Sequence, residues 1–136
     1  MTAGIWADQS TVQERAQRIA ERYLLADTHI DVPYRLEDAW VDVSVSAPDG
    51  QFDYPRSVKG GLNLPFMSIF TPAKMEEEGG SFQLANQLID SVEAIAARAP
   101  EKFMLVYSPA DAVKAMESGR VGLAMGMENG SPIDHK

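Results

Sequence analysis

Short apolar runs and helix-period segments alternate along this chain, and that alternation constrains the fold more than any single motif does. Residues 24–30, 62–70 and 121–127 are apolar runs of strand length, rich in branched, aromatic or small residues. Between and before them lie segments with the spacing of amphipathic helices. Strands that alternate with helices build βαβ units and a parallel sheet, so an α/β fold with parallel strands is expected. The run at 121–127, Val-Gly-Leu-Ala-Met-Gly-Met, suits a strand buried on both faces, with glycines where neighbours approach closely.

The first helix is expected to open at Ser10, with Gln13 at the reciprocal capping position and Val12, Ala16, Ile19 and Tyr23 as an inward stripe. Residues 32–59 lose periodicity and collect prolines, a glycine and aromatics, the composition of a long surface loop that Gly60 and Gly61 close. In the second run Pro65 lacks an N–H, so it must fall at a start, a bulge or an unpaired position. Glu76 to Gly80 reads as a solvated acidic turn. Ser81 is expected to cap a helix whose inward face is Phe82, Ala85, Leu88, Ile89, Val92, Ile95 and Ala96, ending at Pro100. Residues 103–107 form a short extended piece, and Ser108-Pro109-Ala110-Asp111 opens a third helix that stops at Gly119. About three principal strands result. A closed (β/α)8 barrel needs about 250 residues, and this chain has 136. The expectation is therefore one partial domain, residues 1–136, the first three strand–helix units of a truncated TIM barrel.

The chemistry sits at the strand ends. His29 and Asp31 alternate around Ile30, so they project to the same side of an extended backbone at the C-terminal end of the first strand. That end is where parallel α/β folds carry their sites. A second carboxylate, Glu128, arrives at the end of the last strand. The chain has no cysteine, which leaves nitrogen and oxygen as the donors for any transition metal. A net charge of −8 argues against nucleic acid or an anionic membrane as partner. No run approaches the roughly 20 apolar residues of a membrane span, and residues 1–10 lack a basic segment followed by an apolar one. A cytoplasmic setting is the expectation.

The segment Asp27-Thr28-His29-Ile30-Asp31-Val32-Pro33 resembles the Asp-x-His-x-Asp-x-Pro pattern of the renal (membrane) dipeptidase family, which are zinc peptidases with a (β/α)8 fold. Gly60-Gly61 is similar to that family's double glycine before strand two, and Gly126-Met127-Glu128-Asn129-Gly130 to its Gly-x-Glu-Gly segment after strand three. The resemblance implies zinc-dependent hydrolysis of dipeptides. It also implies two zinc (Zn) ions in the complete site, with His29 and Asp31 on one ion and Glu128 bridging both. Asp27, one step deeper in the strand, is expected to be a structural acid. Two departures stand out: Asn129 occupies a position where many members have glycine, and the later histidines of the family pattern have no counterpart among the two present, His29 and His135. Two alternatives follow, a non-catalytic fragment or interaction module that keeps a partial metal site, and another amidohydrolase-like hydrolase. The aspartate at position 31, where such enzymes carry a second histidine, favours the dipeptidase reading. An open barrel section exposes a strand edge and apolar faces, so self-association into a homo-oligomer is expected.

Overall fold

The computed structural model describes residues 10–133. Helix α1 (Val12–Arg22) leads into β1 (Leu25–Ile30), followed by α2 (Val32–Asp38), α3 (Tyr54–Gly60) and β2 (Leu62–Ile69). Then come α4 (Met75–Glu78), α5 (Ser81–Arg98), β3 (Phe103–Leu105), α6 (Pro109–Glu117) and β4 (Val121–Met127). All pairings are parallel and the sheet order is β1-β2-β4-β3. The α/β reading is borne out, with four strands rather than three, because the short piece at 103–105 pairs with the first half of β4.

Alternation along β2 sends successive side chains into two separate cores. Met67 and Ile69 join Leu123, Phe103 and the buried stripe of α5 (Ala85, Leu88, Val92, Ile95, Ala96), with Val32 and Leu36 of α2 closing the layer. Leu64 and Phe66 lie in the second cluster with Ala124 and with Ala112 of α6. α6 therefore lies against the face opposite to α5. The glycine expectation holds at Gly122, where a Cβ would lie 2.7 Å from Val106 Cγ2 and 3.2 Å from Ala115 Cβ. It fails at Gly126, whose missing Cβ would meet nothing within 4 Å.

Several local expectations are corrected. Thr11, not Ser10, caps α1: its Oγ1 accepts from the Glu14 N–H at 3.2 Å and Glu14 Oε2 accepts from the Thr11 N–H at 2.7 Å. A carboxylate is the stronger acceptor for that backbone donor, so the box with Glu14 prevails over one with Gln13. The helix buries none of its stripe, and Val12, Ile19 and Tyr23 are exposed. Its close approach to the body is Ala20 against Gly61. Residues 32–59 are not one long loop. Pro33 and Pro55 stand in the first turns of α2 and α3, where the missing N–H costs nothing. Between those helices Val43, Ala47 and Phe52 are buried. The Glu76–Glu78 stretch is one helical turn, α4. Gly80, at φ +93, is the N-cap of α5. Ser81 is instead a buried helical residue whose hydroxyl donates to the Ser131 carbonyl at 2.8 Å. Phe82, one position off the 81, 85, 88, 92, 95 stripe, is exposed. Ser108 caps α6 as expected, and Gly119 takes φ +69 just beyond its end. Among the described residues no helix is long and apolar enough to cross a membrane.

Candidate metal centre

β1 and β4 flank β2, so the C-terminal ends of three neighbouring strands meet at one edge of the sheet. The register between β1 and β2 runs Asp27 to Pro65 and then Ile30 to Met67. Two residues, Thr28 and His29, thus oppose Phe66 alone. This is a bulge, a device that re-aims a side chain at a strand end. Pro65 sits at this irregularity, and the ladder to β4 begins only at Phe66, as its missing N–H requires. Asp27 Oδ1 accepts from the His29 N–H at 3.0 Å, so Asp27 holds the bulged backbone. Ile30 packs into the core with Met67, which leaves His29 on the opposite side.

Asp31 is the N-cap residue of α2, yet its side chain makes no capping hydrogen bond. A capping carboxylate would accept from the second or third helical N–H, and the second helical residue is Pro33, which has none. The carboxylate is turned to the imidazole instead, with His29 Nε2 3.3 Å from Asp31 Oδ1. Glu128 closes the group from the end of β4. Its backbone N–H extends the sheet to the Ile69 carbonyl at 3.3 Å, and its Oε2 lies 3.5 Å from His29 Nε2. One ligand-type atom from each of His29, Asp31 and Glu128 lies within 4.8 Å of the other two. The three side chains are 50%, 66% and 36% exposed, so the cluster opens to solvent. A neutral imidazole nitrogen and two carboxylates form a set that suits zinc or another divalent ion.

The residues expected at the site are thus brought together from positions 29, 31 and 128. His135 lies outside the described residues. Sequence reasoning missed what surrounds them. Ser68, 2% exposed, donates its Oγ–H to Glu128 Oε2 at 2.9 Å. Asn129 explains its own departure from the glycine pattern. Its Nδ2 donates to the Thr71 carbonyl at 2.8 Å, and its Oδ1 accepts from the Ser131 N–H at 3.0 Å, from Ser131 Oγ at 2.7 Å and from Thr71 Oγ1 at 3.2 Å. The turn after Glu128 is thereby fastened to the exit of β2, and the turn's Ser131 N–H is taken by Asn129 rather than by the Glu128 carboxylate. The available signal was Ser68 itself, a lone hydroxyl in an apolar run. Its alignment with Glu128 needed the β2 to β4 register, Ser68 beside Gly126.

A cavity of about 500 Å³ adjoins His29 and Asp31 and is also lined by Asp27, Arg35, Asp49 and Gln51. Asp49 and Gln51 belong to the segment between α2 and α3, which Asp53 and Arg56 fasten. Asp53 is 1% exposed. Its Oδ2 accepts from Arg56 Nε at 2.8 Å and from the Ala47 N–H at 2.9 Å, and its Oδ1 caps α3 through the Arg56 N–H at 2.8 Å. The Arg56 side-chain hydrogen bond, ahead of the backbone donors of Ala47 and Arg56, outweighs desolvation and lowers the Asp53 carboxyl from 3.8 to about 2. The guanidinium also donates to the Gly50 and Ala47 carbonyls.

The class these features define is a parallel α/β sheet with an imidazole and two carboxylates converging at its carboxyl edge, a donor set fit for a divalent metal. The family is specific: the membrane dipeptidase (peptidase family M19) pattern matches residues 13–136, and the chain belongs to that family. Among solved structures, the chain is similar to the probable dipeptidase PvdM from Pseudomonas aeruginosa, with 22% identity and a TM-score of 0.77 over 90% of this chain and 32% of that one. It is also similar to dipeptidase AC, a metallo peptidase, with 21% identity and a TM-score of 0.68 over 81% of this chain and 36% of that one. A third, a metallo peptidase from Rhodobacter sphaeroides liganded with a phosphinate mimic of the dipeptide L-Ala-D-Ala, gives 18% identity and a TM-score of 0.69 over 81% and 39%. The chain spans about a third of the length of these proteins. Its fold is the partial (β/α)8 barrel that the resemblance implied.

Proposed function

We propose that this chain supplies the first metal-binding part of a site that hydrolyses dipeptides. The carrying observation is the convergence of His29 Nε2 and the Asp31 and Glu128 carboxylates at one strand edge. On this reading His29 and Asp31 would hold one zinc, and Glu128, with two anionic oxygens, would help to hold that ion and a second. Divalent metal in such a site polarises the scissile carbonyl and activates water. The residues of this chain hold and orient. Asp27 fixes the backbone of His29, Asp31 faces His29 and makes no capping bond to α2, and the Asn129 turn anchors Glu128. The negative charge of Glu128 offsets part of the repulsion between two dications, which a neutral imidazole could not do. We also read β1, β2 and β4 as the opening staves of the barrel. The dipeptide class follows from the family, and L-Ala-D-Ala is a suitable assay substrate, since its mimic occupies the Rhodobacter protein.

A second reading, a non-catalytic module with a partial metal site, is favoured by the histidine inventory, which is two in 136 residues. One experiment separates these readings. Metal content per chain is measured by elemental analysis beside L-Ala-D-Ala hydrolysis, for the parent chain, Glu128→Gln and His29→Ala. The parent is expected to hold zinc with no turnover above a metal-free control. Glu128→Gln, which keeps size but loses charge and one anionic oxygen, is expected to release zinc while its fold persists. Parental zinc in Glu128→Gln would remove Glu128 from the site. Chelator-sensitive turnover by the parent would show that these 136 residues are catalytically sufficient.

A further inference from the structure

We propose that Ser68 is a positioning residue that fixes the orientation of the Glu128 carboxylate, so that Oε2 faces His29 where a divalent ion would be held. The inference rests on the metal reading above and adds a residue to it. Ser68 is buried in β2 at 2% exposure, one strand away from Glu128, and its Oγ lies 2.9 Å from Oε2. The same Oε2 is the oxygen 3.5 Å from His29 Nε2. An ionised carboxylate only accepts, so the hydroxyl is the donor. That bond occupies one lone pair of Oε2 and leaves the other for a metal beside His29. Oε1 accepts no hydrogen bond from the described residues and keeps both.

The contact also decides how the carboxylate is turned. The terminal torsion of a glutamate is broad and roughly two-fold, so a 36% exposed side chain without a fixed partner would sample many orientations. Ser68 is held by the ladder to β4, where it faces Gly126, one residue past the last β1 partner, Met67. It is thus a rigid donor aimed at a mobile acceptor. Partners of this kind, which orient a ligand without touching the metal, are typically worth 10–100-fold in metal affinity.

The test titrates zinc alone into the 136-residue chain by calorimetry, with thermal melts in chelator, for the parent, Ser68→Ala, Ser68→Thr and Glu128→Gln. Expected is a loss of about 10–100-fold in zinc affinity for Ser68→Ala, an unchanged melt in chelator, and recovery of most of that affinity in Ser68→Thr, which restores the hydroxyl. If Ser68→Ala lowers the melt in chelator, the comparison passes to Ser68→Cys, close to serine in size with a weak donor, which must show weakened zinc binding at a parental melt. Parental zinc affinity in Ser68→Ala, with zinc lost from Glu128→Gln, overturns the role of Ser68 and leaves the metal reading intact. Parental affinity in Glu128→Gln overturns both.

Discussion

Asp53 shows how one residue can shape a site it does not enter. It is almost wholly buried, and its carboxylate collects the Arg56 side chain and two backbone N–H groups. The Arg56 guanidinium meanwhile ties down the carbonyls of Ala47 and Gly50, in the segment that walls the cavity beside His29 and Asp31. Asp53 is buried while the Arg56 side chain is 43% exposed, so solvent offsets part of the loss and Arg56→Ala should cost about 1–3 kcal/mol. The acid limb of stability follows from the same contacts. The folded carboxyl, at about 2, lies below the ordinary 3.8. The stabilisation it gives is complete above the unfolded value and is lost as pH falls from about 4 towards 2. Urea midpoints measured between pH 5 and pH 2.5 should fall for the parent and fall less steeply for Asp53→Asn. An equal slope in both would mean that another group carries the acid transition. None of this was legible in the sequence, where Asp53 sat inside an apparent loop. His29, Asp31 and Glu128 could be picked out because strand ends are local properties, although Asp31 lies beyond β1 as the N-cap of α2 and not in an alternating strand with His29, whereas a buried aspartate is identified only by what folds over it.

Elements were readable where a local rule had no rival. Ser108-Pro109-Ala110-Asp111 opened α6 as its residues dictate, and the branched run at 62–69 became β2. Errors arose where one residue type serves two structures. Pro33 and Pro55, taken as loop markers, occupy helix first turns, and the stripe of α1 has helical spacing but meets no wall. The double glycine shows how similar neighbours divide the work. Gly61 has φ +76 and lies so near α1 that a Cβ would fall 2.6 Å from Ala20 Cβ, whereas a Cβ on Gly60 would meet nothing within 4 Å. Gly61→Ala should therefore cost at least about 1–2 kcal/mol from the left-handed backbone, with the Ala20 clash added. Gly60→Ala, in the last turn of α3, should be neutral or stabilising by up to about 1 kcal/mol. Chemical denaturation of the two variants decides it, and equal destabilisation would show that both positions require glycine.

For the whole molecule, the order β1-β2-β4-β3 was beyond reach of the sequence, because periodicity says which segments are strands and not which are neighbours. The order puts β1 at an edge. Five of its six residues are exposed, the sixth half-buried. Beside it α1 presents Val12, Ile19 and Tyr23 at 75%, 56% and 55% exposure. An unpaired strand edge next to an uncovered apolar helix face is a template for association. The 136-residue chain should therefore bind a hydrophobic dye in its folded state and sediment as larger species with rising concentration. The double change Ile19→Lys with Tyr23→Lys, in a helix that buries none of its residues and at its exposed C-cap, should lower dye binding and association together while leaving the melt within a few degrees of the parent. A parent chain that stays monomeric across the concentration range and leaves the dye dark would show that these surfaces are satisfied within the chain.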